Sequence, residues 1–529
     1  MNNLRIALFG LLSFLAVLAT TAGAAEDPFV VRLRSQSETE PGSGRFHRLE
    51  SEESWPSGKT AIIVCDMWDS HHCYRAVLRE KEFAPRLNEV LTAARKRGAA
   101  IIHAPSGCMA AYQDHPARKR AKEARAAESY PADIASWCYQ IPAEEAAVYP
   151  IDQSDGGEDD TPEEHAKWEK QLAAEGRNVK APWQRQIDVI DIDADADFIS
   201  DDGKEIWNIV REQGIKHVIL TGVHTNMCVL GRPFGLRRMK LAGMSVALMR
   251  DLTDTMYNPA AKPFVSHFSG TDLIVDHIER YVCATLTSDQ FIGGSAFRFA
   301  ADDRPHLALL INEPEYQTEK TLPRFVEQSL RRDHRISIVY GNAEDPNRFE
   351  GIEQIEDADA LLISVRRRTP PAKQLQAVRD FVGSGKPVLG IRTASHAFSL
   401  RTGSPPAAHG DWPEFDADVF GGHYTNHYSN DQAVTLSVVD KSKHPILQGV
   451  GADLSASAGS LYVVSPLNSN ATVLLQGEID GESPEPVAWT FERSPGGRSF
   501  YTSLGAAGDF DQPEFQQLLR NAVVWATSH

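Results

Sequence analysis

The chain has 529 residues, of which 42% are hydrophobic and 24% charged, and its formal net charge is −18 at pH 7. This length predicts two or three domains whose cores are large enough to fold without a metal or a disulfide framework. The negative charge argues against a nucleic-acid-binding protein, which needs clustered positive charge on its binding face.

The first 24 residues have the pattern of a secretory signal peptide. Arg5 supplies a positive start, residues 6–18 form an apolar run, and residues 22–24 are the small residues that a signal peptidase accepts. The apolar run is shorter than the roughly 20 residues of a membrane span, although an uncleaved anchor is the alternative. We therefore expect an exported protein, periplasmic or secreted, with no membrane segment once the signal peptide is removed.

The cysteine count permits disulfides without requiring them. An even number in an exported protein allows up to three bridges, but the density is low and no Cys-x-x-Cys occurs. Two of the cysteines adjoin apolar, strand-like runs, where a buried thiol is the simplest expectation. The six are Cys65, Cys73, Cys108, Cys138, Cys228 and Cys283.

Residues 25–58 are polar, and we interpret them as a linker or a loosely draped arm. From residue 59 to about 295, apolar runs alternate with helical patterns, which indicates an α/β domain with a doubly wound, mostly parallel sheet. The predicted strands are 61–65, 99–103, 187–192, 217–221 and 245–249, and the predicted helices are 84–97, 203–213 and 272–283.

The segment 104–186 interrupts this alternation and is irregular and highly charged. Its acidic turn at 152–160 offers the oxygen ligands that calcium prefers, but it lacks the spacing of an EF-hand. A solvated loop is the simpler interpretation. We expect this insertion to shape the pocket.

A second α/β domain of flavodoxin-like type is predicted for 304–529. Apolar runs again alternate with helical patterns, and the chain becomes more β-like after Gly421 before it ends in a helix. The predicted strands are 306–311, 335–340, 360–364 and 387–391, and the predicted helices are 321–331, 371–383 and 512–526.

Reactive side chains follow several strands of the first predicted sheet. Asp66 follows the first strand, His103 ends the second, and Cys228 lies in the turn after 217–221. Ligands bind at the carboxyl ends of strands in open α/β sheets. A thiol at a helix N-terminus has a lowered pKa, and a neighbouring carboxylate can move its proton. From this segment alone, a buried cysteine at a helix start is the alternative.

Two motifs add a family resemblance over residues 59–295. The segment 220–229, Leu-Thr-Gly-Val-His-Thr-Asn-Met-Cys-Val, resembles the nucleophile motif of the isochorismatase-like cysteine hydrolases, which include nicotinamidases and N-carbamoylsarcosine amidases. The segment 62–69, Ile-Ile-Val-Cys-Asp-Met-Trp-Asp, is similar to the strand that carries the family's aspartate. Asp251 also matches a family position.

The resemblance implies roles for particular residues. Cys228 would be the nucleophile and Asp66 its acid/base partner. A cis peptide bond would join Val223 to His224, beside backbone N–H groups that stabilise an oxyanion. The implied reaction is hydrolysis of a C–N bond in a small amide or carbamoyl-type substrate.

The substrate pocket is expected to include Trp68 as a wall, together with His103 and Asn226. This cysteine chemistry requires no cofactor. Zinc or another divalent metal is an alternative, because nicotinamidases hold zinc through an aspartate and histidines. The candidate ligands are Asp69, His71, His72 and His103, although the Asp69-x-His71 spacing departs from the family's own.

One departure from the family concerns the third catalytic residue, which is normally a lysine. The corresponding segment 189–198 contains no lysine, and its lysine position falls at about Ile192. Lys204 is close in sequence, but it belongs to the following predicted helix. Either another cation takes this place, or the activity is altered and the protein only binds a ligand.

The second domain resembles the class I glutamine-amidotransferase-like superfamily, and more closely its ThuA branch. The resemblance rests on the strand and turn at 383–396, on 419–424 with Trp489, and on 497–505. Arg392-Thr393 stands where glutaminases carry cysteine, and Ala506 stands where related proteins have histidine. Thiol chemistry is therefore excluded in this domain.

His396, His423 and His427 are expected to form a polar pocket in the second domain, for carbohydrate binding, scaffolding or catalysis. For the whole chain, the leading hypothesis is an exported cysteine hydrolase acting on a small molecule. The alternative is a catalytically degenerate ligand-binding protein. The sequence leaves open both the identity of the substrate and the formation of a homo-oligomer.

Overall fold

The computed structural model describes residues 27–439, 444–451, 454–455, 459–494 and 496–528. These residues form two eight-stranded sheets, a separate two-stranded sheet and the surrounding helices, which confirms the predicted α/β class. The expected signal peptide, residues 1–24, lies outside the described residues. No helix within the described part has the length and apolar character needed to cross a membrane.

The segment expected to be a linker or arm is instead a β-hairpin. Strands β1 (Phe29–Glu38) and β2 (Phe46–Trp55) pair antiparallel over ten residues, and β1 joins the edge of the first sheet. Alternate residues of β1, namely Phe29, Val31 and Leu33, are buried. This period-two alternation was present in the sequence beneath the polar composition.

The first sheet has the strand order β2-β1-β8-β7-β6-β3-β4-β5, and β3 to β8 run parallel to one another. The chain first builds β3, β4 and β5 in one direction and then crosses over to β6, so the switch point lies between β3 and β6. Ligands bind at such points in doubly wound sheets. The strands are β3 (Thr60–Cys65), β4 (Ala100–Ala104), β5 (Phe198–Ile199), β6 (His217–Val223), β7 (Ser245–Asp254) and β8 (Ala284–Leu286).

Helices cover both faces of this sheet, and every residue of β3 is buried. Asp202 caps the helix that begins at Gly203 by accepting hydrogen bonds from two backbone N–H groups, at 2.8 and 3.0 Å. The helices are α1 (Tyr74–Lys96), α2 (Pro116–Glu123), α3 (Pro162–Ala174), α4 (Gly203–Glu212), α5 (Leu236–Leu241), α6 (His267–Tyr281) and α7 (Asp289–Ile292).

The strand expected at 187–192 is not formed. The strand that pairs with β4 is β5, through Ile102 and Phe198. Within 187–192 only Ile190 is buried, and the acidic residues between the isoleucines lie at the surface. The alternation of isoleucine and aspartate therefore has the period of a β-strand, but the segment does not bury one face as a strand would.

The second sheet has the order β10-β9-β11-β12-β18-β17-β16-β14. Strands β10, β9, β11, β12 and β18 are parallel, and the remainder are antiparallel, which agrees with the β-like pattern after Gly421. The strands are β9 (His306–Asn312), β10 (Arg335–Tyr340), β11 (Ala360–Val365), β12 (Val388–Ile391), β14 (Thr435–Val438), β16 (Ala471–Glu478), β17 (Glu485–Glu492) and β18 (Arg498–Thr502); β13 (Asn426–His427) pairs separately with β15 (Tyr462–Val463).

Three helices accompany the second sheet: α8 (Thr318–Ser329), α9 (Ala372–Gly383) and α10 (Pro513–Thr527). Strand β10 follows β9 on one side and β11 lies on the other side, so the switch point of this sheet lies between β9 and β11. In each domain, the point where the strand order reverses is the expected position of a ligand-binding crevice.

Candidate active site

The carboxyl ends of β3 and β6 lie side by side, because Cys65 pairs with Gly222 in the parallel register. Gly222 has a φ of +98°, and a Cβ on it would lie 2.1 Å from the carbonyl oxygen of Cys65. Only glycine fits this close approach. The segments that follow β3 and β6 are therefore held next to each other. The segment after β3 begins with Asp66.

A five-residue π-helical turn, Thr225–Val229, follows β6 and contains Cys228. The expected cis peptide bond between Val223 and His224 is present. The turn is fastened to the chain after β7, since the Asn226 side chain donates to the carbonyl oxygen of Met256 at 2.9 Å and accepts from its N–H at 3.0 Å. Asn226, expected in the substrate pocket, positions the turn through its amide and also lines the neighbouring cavity.

The structure brings Cys228 and Asp66 together with a third residue, Arg232. Asp66 is fully buried; its Oδ2 accepts hydrogen bonds from Nε and Nη2 of Arg232, at 3.3 and 3.2 Å. Its Oδ1 accepts from the backbone N–H of Ser106 at 2.7 Å. The thiol of Cys228 lies close enough to Asp66 and Arg232 for both of their charges to act on its pKa. Thiol, carboxylate and guanidinium thus share one cluster.

Arg232 is the cation that pairs with Asp66. It follows Cys228 by four residues, and its backbone N–H donates to the carbonyl oxygen of Cys228 at 3.0 Å. Residues four apart in a helical turn face the same side. That spacing was readable in the sequence, but Arg232 lies on a different segment from the family's lysine and was missed.

The charges of the cluster act on both titratable groups. Burial raises the pKa of Asp66, while Arg232 and the hydrogen bonds from Cys228 and Ser106 oppose this rise. Burial, followed by the Asp66 charge, raises the pKa of Cys228, and Arg232 offsets part of that rise. The free site therefore contains a thiol next to a carboxylate.

This raised pKa of Cys228 corrects the expectation of a thiol whose pKa is lowered by a helix N-terminus. The thiol lies within the π-helical turn, and the next α-helix, α5, begins only at Leu236 and has six residues. Dipole effects fall off within the first turn of a helix. The pKa of the thiol in this site therefore depends on burial, Asp66 and Arg232.

Tryptophan side chains surround the cluster. Trp68 stacks on Trp183 with ring centroids 4.4 Å apart, and its Nε1 donates to the carbonyl oxygen of Ser106 at 3.1 Å. The guanidinium of Arg232 lies 5.4 Å from the ring centroid of Trp137. A Cβ on Gly231 would lie 2.5 Å from that ring, so glycine there permits the contact.

A cavity of about 410 Å³ lies beside the nucleophile turn. Its size is within the range of small-molecule sites. Trp137 lines the cavity and also contacts Arg232, so the two places share a wall. The other lining residues are Tyr139, Gln140, Glu144, Ala147, Tyr149, Gln153, Asn226, Met227, Arg237 and His277. Those numbered 137–153 come from the 104–186 insertion, as expected for a segment that shapes the pocket.

His103 does not contact this cluster, contrary to expectation. It is fully buried, and its ring nitrogens lie 3.0 Å from Gln186 Oε1 and 3.1 Å from Asp197 Oδ2. Asp197 also forms an ion pair with Arg95 at 2.7 Å. His103 therefore belongs to a polar network within the fold rather than to the pocket.

The expected metal ligands do not converge. Asp69 accepts from Arg177 and from the backbone of Gln184, both at 2.9 Å, and His72 lies 3.0 Å from Glu158. His71 accepts from the N–H of Cys73. With His103 engaged elsewhere, Asp69, His71, His72 and His103 do not fit a zinc ion.

Among the described residues, a different trio, Cys73, Asp159 and Asp160, has ligand atoms within 4.8 Å of one another. Asp160 accepts from the first backbone N–H groups of α1, at 2.8 Å each, and Asp159 forms a bidentate pair with Arg79. Helix capping and ion pairing explain this trio, including part of the acidic turn considered for calcium.

His224, the residue before the π-helical turn, is buried, and both of its ring nitrogens lack a hydrogen-bond partner among the described residues. Burial lowers its pKa to about 4, so the ring is neutral at pH 7. Its ring packs against His71, with centroids 4.9 Å apart. Two neutral imidazoles therefore lie next to the nucleophile turn.

Two further predicted groups have structural roles. The carboxylate of Asp251 accepts hydrogen bonds from the backbone N–H groups of Ser288 and Phe297, which ties β7 to the end of the domain. All six cysteines are free thiols, so none of the permitted disulfides forms. Cys228 is partly exposed, and the other five are buried.

In the second domain, the three predicted histidines separate. His396 is buried and stacks on Tyr424 with ring centroids 4.7 Å apart, whereas His423 and His427 are exposed. Arg392 occupies the turn after β12 with a φ of +46°. The expected pocket of three histidines is therefore reduced to His396 with its aromatic neighbours.

The second domain is similar to a known protein family. Residues 308–526 match the family model ThuA, described as trehalose utilisation. Residues 308–526 form a ThuA-like domain. No curated protein matches the sequence.

Solved structures with partial similarity to the chain include the following two. A ThuA-like protein from Bacteroides uniformis is 17% identical, with 44% of this chain and 95% of that chain covered and a TM-score of 0.32. A cysteine hydrolase from Pseudomonas syringae pv. phaseolicola is 15% identical, with 45% and 92% covered and a TM-score of 0.27.

Proposed function

We propose that the first domain is a cysteine hydrolase that cleaves a C–N bond in a small amide or carbamoyl-type molecule. Cys228 is the nucleophile, Asp66 the general acid and base, and Arg232 the cation in place of the family's lysine. The single observation that carries this proposal is the buried ion pair of Asp66 with Arg232 at the switch point, next to the Cys228 thiol.

In the first step, the sulfur of Cys228 attacks the substrate carbonyl carbon while its proton moves to Asp66. Burial favours the protonated form of Asp66, which makes the carboxylate a better proton acceptor than an exposed aspartate. Arg232 opposes the rise in the pKa of this carboxyl group and stabilises the developing thiolate. The pair therefore compensates for the raised pKa of the free thiol.

In the second step, the tetrahedral intermediate collapses, the C–N bond breaks, and Asp66 returns the proton to the leaving nitrogen. Water then attacks the thioester, with Asp66 accepting its proton, and releases the acid and the free thiol. The N–H groups of Met227 and Val229 already donate to His224. We assign oxyanion stabilisation to the remaining backbone N–H groups between His224 and Cys228.

The proposal includes the place and partners of the protein. Residues 1–24 would direct export to the periplasm or the outside of the cell, and the partner would be a small molecule. The net charge of −18 supports the absence of a nucleic-acid partner. The ThuA-like domain would be an accessory unit.

Alkylation by iodoacetamide, followed by peptide mass spectrometry, tests the nucleophile. Cys228 should react first among the six thiols, but exposure alone would also favour it. The informative comparison is therefore Asp66→Asn, which keeps the shape of the site while removing the base. We expect the pH dependence of Cys228 alkylation to shift to lower pH in this variant, because the Asp66 charge raises the pKa of the thiol.

A panel of primary amides and carbamoyl compounds, assayed for ammonia release, then tests hydrolysis itself. Turnover that disappears in Cys228→Ser would support the proposal. A Cys228 that stays unreactive in the folded protein, with no turnover of any amide, would instead favour the ligand-binding alternative. The absence of the family's lysine is the observation behind that alternative.

A further inference from the structure

The switch point of the second sheet carries an unusual concentration of arginine. Strands β9, β11 and β12 end side by side, and the segment after β11 is Arg366-Arg367-Arg368. The backbone N–H of Arg367 donates to the carbonyl oxygen of His396 at 3.1 Å, which joins this segment to the turn after β12. Carboxyl ends of strands at a switch point are where open α/β sheets bind ligands.

The side chains of these arginines differ in their hydrogen-bond and ion-pair partners. Arg366 is paired with Glu315, and Arg368 donates to Asn312 at 2.9 Å. Within the described residues, no carboxylate lies within ion-pair distance of Arg367 or Arg401. The Nε of Arg367 is buried and has no hydrogen-bond partner in the same part of the chain. A buried guanidinium N–H without an acceptor is costly, and a bound anion would remove that cost.

The charges of these arginines act on one another and on His396. Burial, followed by the charge of Arg401, lowers the pKa of Arg367. Burial, followed by Arg367, Arg366 and Arg401, lowers the pKa of His396 to about 3. His396 is therefore a neutral ring among cations.

Aromatic rings form the remaining wall. Tyr424 stacks on His396, and Tyr462 lies 4.7 Å from Tyr424 and 6.3 Å from His396, measured between ring centroids. The guanidinium of Arg392 lies 5.0 Å from the Tyr462 ring. The hydroxyl of Thr393, in the turn after β12, is also buried without a partner among the described residues.

We propose that the crevice between Arg367, Arg401, His396 and Tyr424 binds a small anionic ligand through a carboxylate or phosphate group, with the tyrosines contacting its apolar face. Guanidinium groups suit both oxyanions because their N–H donors match two oxygens at once. The turn holds no nucleophilic thiol, so the site binds rather than transforms by thiol chemistry. It is separate from the Cys228 site.

Calorimetric titration of the full chain with glucose 6-phosphate, glucuronate and neutral glucose tests this proposal. At least one anion should bind about tenfold or more tightly than glucose and should bind more weakly as salt is added. Tighter binding of glucose 6-phosphate would show a preference for phosphate, and tighter binding of glucuronate a preference for carboxylate. The proposal fails if neither anion binds, or if glucose binds equally well.

Variants then locate the binding. Arg401→Gln, at an exposed position, and Arg367→Gln should each weaken binding of the anion by about tenfold. Arg332→Gln, an exposed arginine of the same domain, and Cys228→Ser should leave it unchanged. Unchanged affinity in both Arg367→Gln and Arg401→Gln would overturn the proposal, as would loss of binding in Cys228→Ser.

Discussion

The two switch points of this molecule occupy equivalent places in two parallel sheets, yet their side chains differ in kind. In the first, a fully buried carboxylate, Asp66, is matched by one guanidinium and one thiol. In the second, guanidiniums exceed the carboxylates that face them, and aromatic rings take the place of a nucleophile. The shared topology supplies a crevice, and the residues directly after the strands decide its chemistry.

A second contrast concerns buried aspartates. Asp66 has an arginine beside it, whereas Asp416 in the second domain is held by the N–H of Tyr424 at 2.8 Å, and its Oδ1 has no partner among the described residues. Burial raises the pKa of Asp416 to about 7. Burial thus raises the pKa of both aspartates, and at Asp66 a neighbouring arginine opposes that rise.

The largest effect is expected from Cys228→Ser. If the first switch point is the catalytic one, ammonia release from the best amide should fall on the order of 1,000-fold or more, because serine is a far weaker nucleophile without a stronger base. The fold should be unchanged, which circular dichroism checks. Retained turnover would place the chemistry elsewhere and remove the contrast between the two sites.

Asp66→Asn should reduce kcat by about 100-fold or more, since Asp66 is the carboxylate whose charge acts on the thiol. The variant also leaves Arg232 without its ion pair, so thermal unfolding should accompany the kinetic assay. A loss explained wholly by unfolding would contradict a role for Asp66 in proton transfer.

Arg232 offers a matched pair of variants. Arg232→Gln removes the charge that lowers the pKa of the thiol, so the alkylation rate of Cys228 should rise only at higher pH than in the parent protein. Arg232→Lys, which restores the family's residue type, should recover part of the rate. Equal pH profiles for both variants would show that the cation does not act on the sulfur.

Asp416 predicts a pH dependence of stability in the second domain. Its folded pKa, about 7, exceeds the ordinary value of 3.8, so its contribution is fully present below about pH 4 and is lost as pH rises through 7. The free energy of unfolding should fall by about 1 kcal/mol per pH unit over this window. Asp416→Asn, measured by chemical denaturation, should flatten the curve; an equally steep curve would contradict the assignment.

The smallest effect on the active site is expected from His103→Gln. The ring lies within a network with Gln186 and Asp197, so the variant should lower stability by about 1–3 kcal/mol. The alkylation rate of Cys228 should change less than about twofold. A large drop in the alkylation rate of Cys228 would show that His103 acts on the active site.

Local patterns predicted most of the strands and helices, because apolar runs in a parallel sheet are buried on both faces and stand out from their surroundings. They failed where composition and periodicity disagreed. The hairpin β1–β2 is polar overall but alternates, and 187–192 alternates without becoming a strand. In both cases, strand formation depended on whether the segment pairs with the edge strand of the sheet. A local sequence pattern does not show which strand lies at the edge.

At the site, local patterns in the sequence placed Asp66 and Cys228 in the segments that follow two neighbouring strands, because parallel strands bring their carboxyl ends together. Only the tertiary structure decided that Arg232 would complete the cluster and that His103 would not join it. The physical reason is that strand ends are fixed by local chain order, whereas the direction and charge partners of a side chain depend on segments far away in sequence.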